Sequence, residues 1–187
     1  MGRARDKNSG TQVDVATAAQ LLRFLWPEFL EIRGMYFLKS FAPTPARARE
    51  LLQEFKGDRT GVEAFWNHHH MADLFRHEFG RSKKSGDGFW DDSHPDFRAA
   101  CEVARTTAKL WCHKLKAEFP TRRFRVYYTQ RDNPIVRFHM VRPKEEVWIR
   151  EADNSDAIAA GEVLIYDTVT HPARSAKSKK APVTDRI

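Results

Sequence analysis

Seven apolar residues, Phe97, Cys101, Ala104, Ala108, Trp111, Leu115 and Phe119, recur at spacings of three and four and end at Pro120. That period lines them up on one side of a helix, which must bury the stripe against something else. Ser93-His-Pro-Asp96 in front of the stripe has the form of a helix cap, and Pro120 ends the pattern. The period then changes to two. RRFRVYYTQ (residues 122–130) and IVRFHMVR (residues 135–142) alternate apolar with polar residues across a turn around Asp132-Asn133-Pro134, the pattern of two antiparallel strands. Phe124, Val126 and Tyr128 share a face with Val136, Phe138 and Met140 if Arg131 pairs with Ile135, which sets Tyr128 opposite Phe138 and Tyr127 opposite His139. A long amphipathic helix followed by a hairpin with one apolar face restricts the chain to a helix-on-sheet arrangement.

The other segments fit around this pair. Residues 14–25 repeat Ala18, Leu21, Leu22 and Leu25 at helical spacing, and Glu28 to Phe41 reads as one strand with a bulge or close approach at Gly34. Thr44-Pro45 opens a helix that Gly57 closes. Thr60 and Glu63 form a capping-box pattern that predicts a helix over residues 61–79, with His68 among the core-facing residues Phe65, Ala72, Phe75 and Phe79. Ser155 to Ala160 reads as a small helix closed by Gly161, and residues 162–168 as a last strand. The predicted fold is α+β: an antiparallel sheet of three to five strands with helices packed on one face, in a single domain over residues 14–170. Residues 1–13 and 171–187, rich in small and basic residues without apolar periodicity, are expected to be flexible tails. Cys101 and Cys112, about 16 Å apart along one helix, are too far apart for a disulfide and are expected as buried thiols.

The chain carries 32 Lys+Arg against 25 Asp+Glu, a net charge of +7. Arg3, Arg5 and Lys7 against Asp6, with Arg174, Lys177, Lys179, Lys180 and Arg186 against Asp185, account for +6 of this and leave the body at +1. The net charge is therefore a property of the ends and does not make the body a nucleic-acid binder. Within the body, nine basic and two acidic residues fall between Lys114 and Lys144. No apolar run approaches the roughly 18 residues that cross a bilayer, and the N-terminal sequence lacks the apolar segment of a secretory signal, so a cytoplasmic location and no membrane partner are expected.

The local positive charge coincides with the hairpin, whose non-core face carries Arg123, Arg125, Tyr127, Thr129, Arg137 and His139. Arginine offers a planar donor fork for phosphate or carboxylate, and Tyr and His can stack on rings. Arg123, Arg125, Tyr127, Arg137 and His139 are accordingly the expected contact set for an anionic ligand, nucleic acid or an acidic protein partner. The competing interpretation is an ordinary exposed face whose arginines pair with acidic residues elsewhere in the body.

His68-His69-His70 raises a second chemistry. On a continuous helix His70, Asp73 and His77 share one stripe within reach of a single ion, a mixed histidine and carboxylate set suited to a divalent transition metal. A solvated polar face accounts for the same residues, and no HExxH accompanies them. No nucleophile elbow, phosphate-binding glycine loop, GxGxxG, CxxC or SxxK is present either. The best expectation is a non-catalytic binding module that uses the hairpin face, with no cofactor. The alternatives are a metal-dependent hydrolase built on His70, Asp73 and His77, and a structural or inhibitory interaction domain with Trp66, Phe89 or Trp90 as anchors.

Overall fold

The computed structural model describes residues 14–75, 95–130 and 133–168. In chain order the elements are α1 (Val15–Leu25), β1 (Phe29–Ile32), β2 (Met35–Leu38), α2 (Pro45–Glu54), α3 (Arg59–Trp66), β3 (His69–His70), α4 (Met71–Phe75), α5 (Pro95–Glu118), β4 (Phe124–Thr129), β5 (Ile135–Met140), α6 (Ser155–Ala159) and β6 (Val163–Asp167). Four strands form one antiparallel sheet in the order β3-β5-β4-β6, and β1 and β2 form a separate hairpin. The chain is α+β, as the change of period at Pro120 requires. Residues 1–13 and 169–187 lie outside the described residues, as do Ser93, His77, Phe89 and Trp90.

The stripe on α5 does what its spacing dictates. Phe97, Cys101, Ala104, Ala108, Trp111 and Leu115 are buried against Phe124, Val126, Tyr128, Val136 and Phe138 of the central strands. Trp111 sits at the centre, ring to ring with Phe24 of α1 and Phe138 of β5, and its indole N–H donates to the Phe24 carbonyl at 2.8 Å. Buried tryptophan needs such an acceptor, and this one pins α1 to α5. Asp14 caps α1 by accepting from the backbone N–H of Ala16 at 2.8 Å. Leu22, placed in the α1 core repeat by its spacing, is instead 63% exposed. Cys101 is buried and Cys112 half-buried, both free thiols, and burial pushes the Cys112 thiol up to about 11.

The β4–β5 register differs from the expected one by two residues. Thr129 pairs with Ile135, so Tyr128 lies opposite Val136 and Tyr127 opposite Arg137. The connection is longer than three residues, but a shift of two preserves the period-2 alternation, and each residue stays on its expected face.

Two other expectations are corrected. Residues 28–41 form a hairpin and not one strand: Arg33 and Gly34 both take positive φ, 56° and 75°, the two-residue reversal of a tight β-turn. The helix expected over residues 61–79 stops at Trp66. Its start is capped by Asp58, whose carboxylate accepts from Gly61 N–H at 2.9 Å, and not by Thr60. Glu63, expected to reach back to its own helix start, accepts instead from Tyr36 N–H at 2.7 Å and Met140 N–H at 2.8 Å. Asn67 then donates its amide to the Tyr36 carbonyl at 2.8 Å, and the chain turns into β3 alongside β5. A second apolar cluster of Ile32, Met35, Phe37, Ala48, Leu51 and Val62 fills the space between the hairpin, α2 and α3.

Candidate functional site

Cross-strand partners share a face, so the register decides what lies together on the side of the sheet turned away from α5. Arg125 is opposite both His139 and Asp167, Tyr127 opposite both Arg137 and Ile165, and Thr129 opposite Ile135, which in turn faces His70. The hairpin set and the histidine segment, unrelated in the sequence, are thus neighbours on one sheet face.

That face is not open. The segment after Pro143 runs across it, and both Tyr127 and His139 are fully buried. Arg125 donates from Nε to Asp167 at 3.1 Å and from Nη2 to Glu151 at 2.9 Å, and Arg123 reaches Asp167 at 3.4 Å. Two of the three arginines are therefore neutralised within the fold. His139 Nδ1 lies 3.0 Å from the Met140 carbonyl, so Nδ1 carries the proton and Nε2 accepts from the Tyr127 hydroxyl at 2.8 Å. Burial lowers the His139 pKa to about 4 and raises that of Tyr127 to about 12, so both are neutral near pH 7. The pair is a structural hydrogen bond beneath the covering segment.

Arg137 differs from Arg123 and Arg125 in its ion pairing. Its guanidinium carbon lies 4.8 Å from the centre of the Trp148 ring, its Nε is sealed from solvent with no acceptor, and among the described residues it makes no ion pair. Burial alone lowers its pKa to about 10. A guanidinium held on a tryptophan face and left without a carboxylate has lost hydration without full compensation. It is also near enough to His70 to help depress that imidazole, behind burial and the neighbouring His68.

His70 lines a cavity of about 570 Å³ at the β3 end of the sheet, together with Thr17, Gln20 and Phe24 of α1, Phe41, His68, His69, Asp73 and Leu74. The volume lies within the range that holds small ligands. His69 was not singled out by the sequence, yet it is the inward-facing histidine. Its ring centre lies 5.7 Å from that of Phe24, 4.7 Å from Phe41 and 5.8 Å from Trp111. Burial lowers its pKa to about 4, and its Nε2 is sealed without a partner. His68, expected on the core side, instead stands on the same face as His70 with ring centres 5.2 Å apart, because α3 ends before the triplet and His69 and His70 are in a strand. A second hollow of about 600 Å³ follows β6 at the opposite edge, with Glu151 and Asp167 as its charged lining.

The expected metal set is only partly brought together. His70 and Asp73 share the cavity, His77 lies outside the described residues, and among the described residues no three His, Cys, Asp or Glu side chains form a metal-sized group. Trp66, a suggested interface anchor, spends its indole N–H on the Phe41 carbonyl at 2.7 Å. Among the described residues no helix is long and apolar enough to cross a membrane. No family model, curated protein or solved structure matches this chain.

Proposed function

We propose that the chain is a non-catalytic binding module for a small anionic ligand, held by the Arg137 guanidinium beside the histidine-lined cavity. The observation that carries this reading is that Arg137, set on the Trp148 ring, makes no ion pair among the described residues. Of the three arginines in the hairpin set, it alone has no carboxylate partner among the described residues, so its fork is the one proposed to take a carboxylate or phosphate. The His68 and His70 imidazoles would add hydrogen-bonding nitrogens, and Phe24 and Phe41 would flank an apolar or ring-bearing body. A concave site of this size favours a small molecule over nucleic acid or an acidic protein, which a flat basic face would suit better.

Titration with inorganic phosphate, benzoate and a short oligonucleotide, followed by NMR on the histidine ring signals, tests the proposal. The small anions are expected to shift His68 and His70, and Arg137→Gln to abolish the shifts while Arg123→Gln leaves them in place. Oligonucleotide binding that survives Arg137→Gln, or small-anion binding indifferent to it, would overturn the reading.

A further inference from the structure

The four-stranded sheet ends at β6, and only one side of that strand is used. The Gln130 N–H donates to the Glu162 carbonyl at 2.8 Å and the Thr168 N–H to the Phe124 carbonyl at 3.1 Å. In the β4–β6 register these are the hydrogen-bonded pairs, so Leu164 and Tyr166 also bond to β4, opposite Tyr128 and Val126. Val163, Ile165 and Asp167 therefore turn their backbone N–H and C=O groups outward, where no further strand follows and, among the described residues, nothing bonds to them. Such an edge is ordinarily screened by lysine, proline, a bulge or a covering element. Val163 to Tyr166 holds no lysine or proline, its register with β4 is unbroken, and a hollow of about 600 Å³ follows all five residues of β6. The rest of its lining is Glu151 with Ser155, Ile158 and Ala159 of α6.

We propose that β6 takes an extended, basic peptide of a partner protein as a fifth strand of this sheet. The edge supplies the backbone hydrogen bonds of strand addition, and charge selects the occupant. Residues 151–168 contain five acidic side chains, Glu151, Asp153, Asp156, Glu162 and Asp167, and no Lys or Arg. Arg123 and Arg125 offset Asp167, Arg125 also reaches Glu151, and Arg150 lies 3.9 Å from Asp153. Asp156 and Glu162 are exposed and make no ion pair among the described residues. Asp156 follows the hollow-lining Ser155, and Glu162 immediately precedes Val163, so both sit where the ends of an added strand would carry lysine or arginine. Between them Ile158, Val163 and Ile165 line the hollow and call for apolar residues at the centre of the peptide. A second copy of β6 fits less well, because it brings its own Glu162 and Asp167 and no cation. The hollow lies at the sheet edge opposite β3, so this site is independent of the Arg137 reading.

The test titrates the full chain with the peptide KKVTVTKK, with its acidic counterpart EEVTVTEE and with KKVTVTKK N-methylated at both valines, while amide exchange is followed by NMR. In the free chain the Val163, Ile165 and Asp167 amides should exchange faster than those of Leu164 and Tyr166. KKVTVTKK should slow these three by about tenfold or more and leave the other two unchanged, whereas the acidic and N-methylated peptides should have no effect. The double variant Asp156→Lys/Glu162→Lys, at exposed positions, should keep the thermal melt of the parent chain and weaken binding by roughly tenfold or more. Absence of slowing at about 1 mM peptide, equal binding of EEVTVTEE, or binding indifferent to the double variant would each overturn the proposal. Three amides already protected in the free chain would overturn it too, assigning the edge to this chain's own residues 169–187, or to a second copy if the protection grows with protein concentration. None of these results touches the Arg137 reading, which stands or falls on the histidine signals.

Discussion

Arg142 sets its two terminal nitrogens on the two carboxylate oxygens of Glu63, each at 2.8 Å. Glu63 has no exposed side-chain surface, and Arg142 also donates to the Gly34 carbonyl at 2.7 Å. With the Tyr36 and Met140 N–H groups on the same carboxylate, this ion pair joins the β1–β2 hairpin, α3 and the end of β5. Burial pushes the Glu63 carboxyl up in pKa, and the bidentate guanidinium and two backbone donors pull it back down.

Glu63→Gln is expected to destabilise the chain by about 3–5 kcal/mol, because it leaves a half-buried guanidinium with only the more distant Glu145, at 3.6 Å, as counter-charge and turns an amide N–H toward donors. The double variant Glu63→Leu/Arg142→Met should recover part of that loss in urea melts. Recovery is incomplete because Tyr36 and Met140 still lose the acceptor of their backbone N–H groups. A single variant costing under about 1 kcal/mol would show that the pair is not a tie between the two clusters.

Two desolvated histidines, His139 buried and His69 half-buried, set an acid limit. His69 and His139 each have a folded-state pKa of about 4, below the ordinary histidine value near 6.5. Between those values the unfolded chain binds protons that the folded chain does not, so stability rises with pH there. The contribution of each is complete above about pH 6.5 and is lost as pH falls toward about 4, at up to about 1.4 kcal/mol per pH unit per histidine. Urea midpoints at pH 7.5, 6 and 5 should fall steadily, and His139→Gln, although weaker overall at neutral pH, should show a shallower decline. A midpoint constant from pH 7.5 to 5 would show that these imidazoles protonate freely in the folded state.

The Trp111 indole tests how α1 is held. Trp111→Ala should cost about 3–5 kcal/mol through the cavity it leaves under α1. Trp111→Phe should cost less, about 1–2 kcal/mol, from the lost bond to the Phe24 carbonyl and the smaller ring. Hydrogen exchange should show α1 amides losing protection in both variants before those of β4. Equal losses across α1 and β4 would mean that α1 is not separately anchored.

Long periodic segments were legible in the sequence, and tertiary choices were not. The α5 stripe and the β4–β5 alternation each extend over several turns or pairs, so their buried faces follow from spacing alone. Asn67 ends α3 because its amide is taken by the Tyr36 carbonyl, a partner that no local pattern announces, and the helical wheel drawn through His68, His70 and His77 fails with it. The hairpin at Arg33-Gly34 lacks the Asn-Gly signature of its turn. The charge on the hairpin was visible and pairing of its arginines with acidic residues was the competing interpretation, but which acids they meet was not legible. Asp167 meets Arg125 only because β6 takes the place beside β4, and the order of strands in a sheet is not written in their periodicity.

Arg137 carries the prediction that separates a binding residue from a structural one. A guanidinium kept for stability should lower stability when removed. Arg137 has an Nε without an acceptor and no ion pair among the described residues, with the Trp148 ring against its guanidinium and Tyr127 across the strand pair, so its burial is incompletely offset. Arg137→Met retains an unbranched apolar stem against Trp148 and removes the desolvated charge. It is expected to raise the unligated thermal midpoint, by an amount equivalent to about 1 kcal/mol, while abolishing the phosphate- and benzoate-dependent shifts. Arg125→Met, by contrast, strips Asp167 and Glu151 of a partner and should lower the midpoint. If Arg137→Met instead destabilises the chain as much as Arg125→Met does, the guanidinium is a structural group, and the anion site must be sought elsewhere on the molecule.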